Sequence, residues 1–294
     1  MSEARRTVIA VASGKGGTGK TTVAAHLAVA AALSRKTILV DLDVEAPDSL
    51  GYFPKASPTG EPLPAMVLVP RLDESKCSGC GLCAKTCRFG AIVAIGGVVT
   101  VDERICKGCG RCVAACPASA LGEAAVEVGA ARAYESGGLS LLEGRMAVGD
   151  IRSTAVIEAA KRAAASTPAE LEIRDCPPGV SCSATHAIEG ADCVVLVAEP
   201  TEFSLHDLGA AVELARGQGL PVGVVVNKDG FGSADVDAFC ASRGVPIIGR
   251  IAFLRARAAS GAATRLWSED GSLMREMDSI LARAVEATKA RMPA

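Results

Sequence analysis

Gly14-Lys15-Gly16-Gly17-Thr18-Gly19-Lys20-Thr21-Thr22 is the stretch from which the fold of this chain can be read. The residues before it, TVIAVAS (7–13), form an apolar run of strand length, and VAAHLAVAAAL (23–33) after it is helical in composition. Gly14 to Thr21 fits G-x4-G-K-[ST] between a strand and a helix, the context the motif requires. Glycines at 14, 16, 17 and 19 bring successive N–H groups onto phosphate oxygens, and the helix start adds its positive end. Thr18 and Thr22 belong to the same cradle. Lys20 is expected on the β- and γ-phosphates, with the Thr21 hydroxyl on Mg2+. A glycine-rich turn without ligand is the alternative, and spacing and context both argue against it. The predicted fold is α/β: a mostly parallel sheet with helices on both faces and ATP at the carboxyl ends of the strands.

The twelve cysteines carry the second signal. Cys77, Cys80, Cys83 and Cys87 follow C-x2-C-x2-C-x3-C, and Cys106, Cys109, Cys112 and Cys116 repeat it 29 residues later. KCSGCGLCAKTC and ICKGCGRCVAAC are thus an internal duplication. Three thiolates of one tight loop can cap three irons of a cubane while the fourth iron faces away. In the two-cluster bacterial ferredoxin pattern the last cysteine of each run therefore serves the other cluster. The expected ligand sets for two [4Fe–4S] clusters are Cys77, Cys80, Cys83 and Cys116, and Cys106, Cys109, Cys112 and Cys87. Gly79, Gly81, Gly108 and Gly110 would let the backbone curl around the anionic sulfurs. Two four-cysteine zinc sites are the alternative, although zinc seldom needs a third cysteine at the same short interval. Pro117 follows Cys116 as the pattern wants, whereas Arg88 follows Cys87.

Composition bounds the rest. The chain has 294 residues, 49% of them hydrophobic, and a formal net charge of −2, which predicts a packed core rather than disorder. With one Trp, two Tyr, six Phe and no basic excess, a nucleic-acid surface is not expected. The N-terminal MSEARRTVIAVASGKGG lacks a signal core with a cleavage site, and the apolar run 23–33 is too short to span a bilayer. A cytoplasmic location without stable membrane insertion is expected, and there a cysteine-rich chain points to metal or redox chemistry.

A second lysine, Lys15, opens the phosphate loop, and at this point the sequence resembles the MinD/Mrp-type ATPases, which carry this signature lysine. The resemblance continues in order through TILVDLD (37–43), LEIRDCPPG (171–179), EPTEFSLHDL (199–208), VGVVVNK (222–228) and PIIGRIAF (246–253), and covers nearly the whole chain. It implies that Lys15 reaches a partner's nucleotide in a sandwich dimer, of identical chains or close paralogues. It also implies that Asp43 orients the attacking water, that Asp48 lies in the first switch and that Asp175 holds the Mg2+ shell. The Gly179 amide would sense the γ-phosphate, and Asn227 would contact adenine.

The cysteine repeat interrupts this order, so residues 66–123 read as an inserted ferredoxin domain between ATPase parts 1–65 and 124–294. FPKASPTGEPLP (53–64) and ESGGLSLLEG (135–144) read as linkers around it. Leu273 to Ala287 reads as an amphipathic helix whose mixed charge suits packing on the domain better than binding lipid. Cys193 and Cys240 are expected in the core, and Cys182 lacks a companion thiol for a further bridging cluster. The chain is expected to gate electron transfer to a redox partner by ATP binding and hydrolysis. The alternative is a metallocluster carrier that loads a receiving protein.

Overall fold

The computed structural model describes residues 5–254 and 271–289. Its strand β1 (Thr7–Ala12) lies between two parallel neighbours, β9 (Leu171–Asp175) and β10 (Cys193–Ala198). Outward on one side follow β11 (Val222–Asp229) and β12 (Ile247–Ala252), and on the other β2 (Thr37–Asp41) and β8 (Leu139–Met146), all parallel. A strand flanked on both edges and covered on both faces has no polar side, which is why TVIAVA shows no alternation.

Its side chains nevertheless alternate between two cores. Ile9 and Val11 pack with Val23, Leu27, Met277 and Ile280, under α1 (Lys20–Ala32) and α8 (Gly271–Lys289). Ala10 and Ala12 face Ile157, Leu208 and Val236, on α4 (Ser153–Ser166), α6 (Glu202–Gly217) and α7 (Val236–Arg243). The short α5 (Cys182–Ile188) lies on that same face. Helix α8 buries Leu273, Met277, Ile280, Leu281 and Ala284, the stripe its periodicity predicts, against α1 and β12. Five such side chains at ~1.5–3 kcal/mol for each large one make the sheet an ample anchor for this helix. Among the described residues no helix is long and apolar enough to cross a membrane.

Of the stretches expected as linkers, 135–144 is instead mostly strand, while 53–64 is mostly irregular and contributes Ser57–Pro58 and the start of the strand at Leu63. β4 (Leu63–Leu72) pairs antiparallel with the sixteen-residue β7 (Leu121–Ser136), from Leu63↔Ala131 to Leu72↔Leu121. After a tight Gly137-Gly138 turn, β7 pairs with β8, and β3 (Ser57–Pro58) pairs with its far end. Gly/Pro content suggested slack chain here, but sheet pairing overrides it: Leu139, Leu141 and Leu142 are buried and anchor β8 beside β2. Positions 66 and 123 fall within β4 and β7, so the cysteine-bearing segment rises from the main sheet on a two-stranded ribbon. That segment holds α2 (Leu82–Thr86), the hairpin β5 (Ile92–Ile95) and β6 (Val98–Val101), and α3 (Arg111–Ala114).

Candidate functional site

The carboxyl ends of β1, β2, β9 and β11 surround a cleft of about 460 Å³, within the usual range for a small-molecule site. Its floor is the glycine loop. Gly14 could carry no side chain, because a Cβ would lie 2.3 Å from the Asp207 backbone of α6. Gly19 has a φ of 87°, and a Cβ there would lie 2.2 Å from the Asn227 amide. Gly16, Gly17, Thr21 and Thr22 line the cleft, and Thr18 Oγ1 is buried without a hydrogen-bond partner among the described residues.

Charge converges on Lys20. Its Nζ lies 2.5 Å from Asp175 Oδ1, 3.8 Å from Asp43 Oδ2 and 3.4 Å from Thr21 Oγ1. Burial opposes the ammonium, but Asp175, then Asp43 and Asp41, more than offset it, and the pKa of Lys20 is raised. Asp41 is 2% exposed and pushed up to about 8, by burial first and by the facing Asp175 second. Its carboxylate accepts the N–H groups of Asp43, Asp48 and Ser49 and so shapes the loop that carries Asp43. Carboxylate oxygens of Asp41, Asp48 and Asp175 lie within 4.8 Å of one another, a hard oxygen set suited to Mg2+ beside the Thr21 hydroxyl.

Asp43 lines the cleft, and burial raises its pKa to about 6 against the pull of Lys20. A carboxylate that titrates there can orient or accept a proton from water at neutral pH and loses this ability in acid. kcat/KM for ATP is expected to fall as pH drops through about 6, and Asp43→Asn to remove both the activity and that acid limb. An unchanged acid limb in residual Asp43→Asn activity would assign the titration elsewhere.

Gly179, whose amide is expected to sense the γ-phosphate, donates its N–H to the Ser13 carbonyl at 2.8 Å, beside the phosphate loop. Asn227 donates to the Thr18 carbonyl at 2.7 Å from the end of β11. Lys15 Nζ lies 2.5 Å from Glu199 Oε1 of its own chain. Lys228 holds the other oxygen, Oε2, at 3.0 Å and also donates to the Gly17 carbonyl. Burial works against the Glu199 carboxylate, but the two ammonium groups outweigh it and lower its pKa.

Sequence reasoning assigned no role to Asp41, Glu199, Lys228 or Tyr52. Asp41 carried a signal, since period two at the end of β2 sets it beside the same cleft as Asp43. Tyr52, whose hydroxyl meets Thr22 Oγ1 at 2.6 Å, follows the first switch in a single helical turn at Ser49–Tyr52 and carried none.

The two cysteine runs cross. Cys77, Cys80, Cys83 and Cys116 line one small cavity, while Cys106, Cys109, Cys112 and Cys87 line another. The four predicted glycines are left-handed, with φ of 68–70°, and Gly81 and Gly110 stand at the starts of α2 and α3. Amide groups point at sulfur: Gly108 N–H to Cys106 Sγ at 3.4 Å and Ala120 N–H to Cys116 Sγ at 3.3 Å. Four thiols and inward N–H donors suit an anionic iron–sulfur cubane in each cavity. The second set lies nearer the main sheet. A Cβ on Gly108 would meet Val67 and Leu68 of β4, and Leu68, Pro70 and Glu123 complete that cavity. The first set sits at the ribbon's end, between Leu72, Leu121 and Val99. Cys176, Cys193 and Cys240 are buried, whereas Cys182 is exposed at the start of α5.

Comparison with known proteins agrees with the fold of the nucleotide-binding domain. The chain is 34% identical over 227 residues to the uncharacterized protein MJ0578 of Methanocaldococcus jannaschii, covering 76% of this chain and 78% of that protein. It is 26% identical over 224 residues to MJ0579 of the same organism, covering 76% and 81%. Among solved structures, the septum site-determining protein MinD of Pyrococcus horikoshii, complexed with Mg-ADP, superposes with a TM-score of 0.59 at 16% identity, covering 98% of this chain and all of that one. A plasmid partition protein of Borrelia burgdorferi bound to AMPPNP gives 0.55 at 13% identity, covering 98% and 100%. A sequence model of the CobQ/CobB/MinD/ParA nucleotide binding domain matches residues 9–263, and with its phosphate loop, switch carboxylates and parallel sheet in register, the chain belongs to that family.

Proposed function

We propose that this chain is an ATP-hydrolysing switch that works as a nucleotide-sandwich dimer and gates electron flow through two [4Fe–4S] clusters to a partner redox protein. The observation that carries the proposal is the pairing of a complete P-loop site with eight cysteines that cross into two fours. Lys20, Thr21 and the loop amides would bind the triphosphate and Mg2+, Asp175 would hold the metal's water shell, and Asp43 would orient the attacking water. Asn227 would take the base. Lys15 would complete the neighbouring subunit's site once released from Glu199, so identical chains suffice, and a close paralogue with the same lysine would serve as well.

The clusters supply one-electron chemistry when bound. The eight thiolates would hold them, the inward amides would stabilise their charge, and the apolar lining of Leu72, Val99 and Leu121 would restrict water around the first set. Two nearby clusters make a wire, which is the reason to prefer electron transfer over a purely structural role.

Anaerobic purification with iron and sulfide counts, followed by EPR with and without Mg·ATP, tests the proposal. About eight irons and eight sulfides per chain are expected, with cluster signals or reduction rates that respond to nucleotide. Zinc in their place, or clusters indifferent to ATP, ADP and Asp43→Asn, would overturn it. Transfer of the iron to an apo-acceptor protein would favour the carrier reading instead.

A further inference from the structure

Besides the ribbon, the cysteine-bearing segment meets the nucleotide domain at a seam just before α4. Lys107 Nζ donates to the Ile151 carbonyl at 2.9 Å, and Arg152 Nη1 donates to the Glu103 carbonyl at 3.4 Å. The loop Glu103–Lys107, which carries Cys106, is therefore held at both ends by two adjacent residues. Arg152 is 6% exposed, and its guanidinium is clamped by Asp150, with Nε 2.8 Å from Oδ1. A buried arginine in a two-toothed carboxylate grip is a fixed object, so it transmits displacement rather than absorbing it. The hydrogen bond to Asp150, acting against burial, raises its pKa.

The other side of the seam leads to the switch. Arg152 is the residue before α4, and Ser153, the first residue of α4, meets Ser183 through a hydroxyl–hydroxyl bond of 2.8 Å. Ser183 belongs to α5, whose N-cap Ser181 is two residues past Gly179. Gly179 in turn donates to Ser13 at the mouth of the phosphate loop. Each step is a direct bond or at most three residues of chain, so the path from Ser13 at the mouth of the phosphate loop to Cys106 is short and contiguous. The Cys77, Cys80, Cys83 and Cys116 set has its packing on the ribbon's end and the β5–β6 hairpin instead.

We infer that the seam formed by Arg152 and Lys107 couples the Gly179 switch to the loop of Cys106, so that the cluster nearer the sheet is the one that senses nucleotide. Arg152 is a positioning residue in this scheme, and Ser153 and Ser183 form its joint with α5. The inference rests on the proposed function for the clusters, while the coupling of switch to loop stands on the protein contacts alone. Coupling is read from the response at both loops.

The holoprotein, purified anaerobically and held in ADP or in ATP by Asp43→Asn, is followed by hydrogen–deuterium exchange and by EPR-monitored redox titration. Amides of residues 103–112 should change protection between the two nucleotides, and those of 77–87 should not. One cluster's midpoint potential should shift with nucleotide while the other stays. Ser183→Ala and Ser153→Ala, remote from both ligand sets, should abolish the loop response and the shift while leaving iron content intact. Arg152→Gln should do the same, with Arg152→Lys restoring part of the response. Equal responses at both loops, or responses unchanged by all these variants, would overturn the inference. A preparation with no iron would instead sink the functional reading, and the exchange data would still judge the seam.

Discussion

Lys20→Met is expected to abolish ATP hydrolysis, by ~10³-fold or more, since one cation that stabilises transferring phosphoryl charge commonly contributes that much. The same substitution should destabilise the nucleotide-free protein in a pH-dependent way. Lys20 is 7% exposed at its side chain and Asp175 is fully buried, so loss of the ammonium leaves Asp175 and Asp41 facing each other without a cation. Breaking a buried pair by removing one partner costs about 3–5 kcal/mol. Asp41, raised to about 8 even beside Lys20, loses the ammonium's pull in the variant, so the folded state holds that proton to higher pH still, well above the unfolded value. Stability should fall as pH rises from about 4 towards 8, because the folded state there binds more protons than the unfolded one. Denaturant titrations at pH 5 and pH 8.5 would measure it. A penalty that is equal at both values would show that the carboxylates find another counter-charge.

The second large effect concerns the crossing of the cysteines. Cys87→Ala should remove the cluster of Cys106, Cys109 and Cys112, not that of its own run, and Cys116→Ala should remove the cluster of Cys77, Cys80 and Cys83. Each variant should lose about four of about eight irons. The two should leave different EPR signals, because one cysteine set lies against β4 and the other at the ribbon's end. The double variant Cys83→Ala/Cys116→Ala should lose no more iron than Cys116→Ala alone. Further loss in that double variant would mean that each run binds its own metal, and the crossed assignment would fall.

The parts of the fold legible from sequence were those governed by local pattern. The phosphate loop, the buried strands and the α8 stripe follow from spacing and periodicity that tertiary context only reinforces. Leu63–Leu72 and Leu121–Met146 were not legible, because Pro64, Pro70, Gly137 and Gly138 favour breaks and only the partner strand decides the matter. The site divides in the same way. Lys20, Asp43 and Asp175 announce themselves by motif, whereas Glu199 meets Lys15 from 184 residues away. Arg152 likewise reaches the Cys106 loop across 49 residues, and no local spacing encodes such a meeting.

The β4–β7 ribbon bears on how such a protein could arise. Leu72 and Leu121 emerge as a cross-strand pair, so the cysteine-bearing segment begins and ends at one point in space. Grafting a unit between two chain positions already joined adds almost no closure entropy, and removing it leaves a hairpin that a two-residue turn could finish. The tip of this hairpin is thus an exchangeable socket, in which a different cargo could be mounted without rebuilding the nucleotide cleft. The contacts at Ile151 and Arg152, and those of Val67, Leu68 and Val69 on the ribbon, would have to be matched anew.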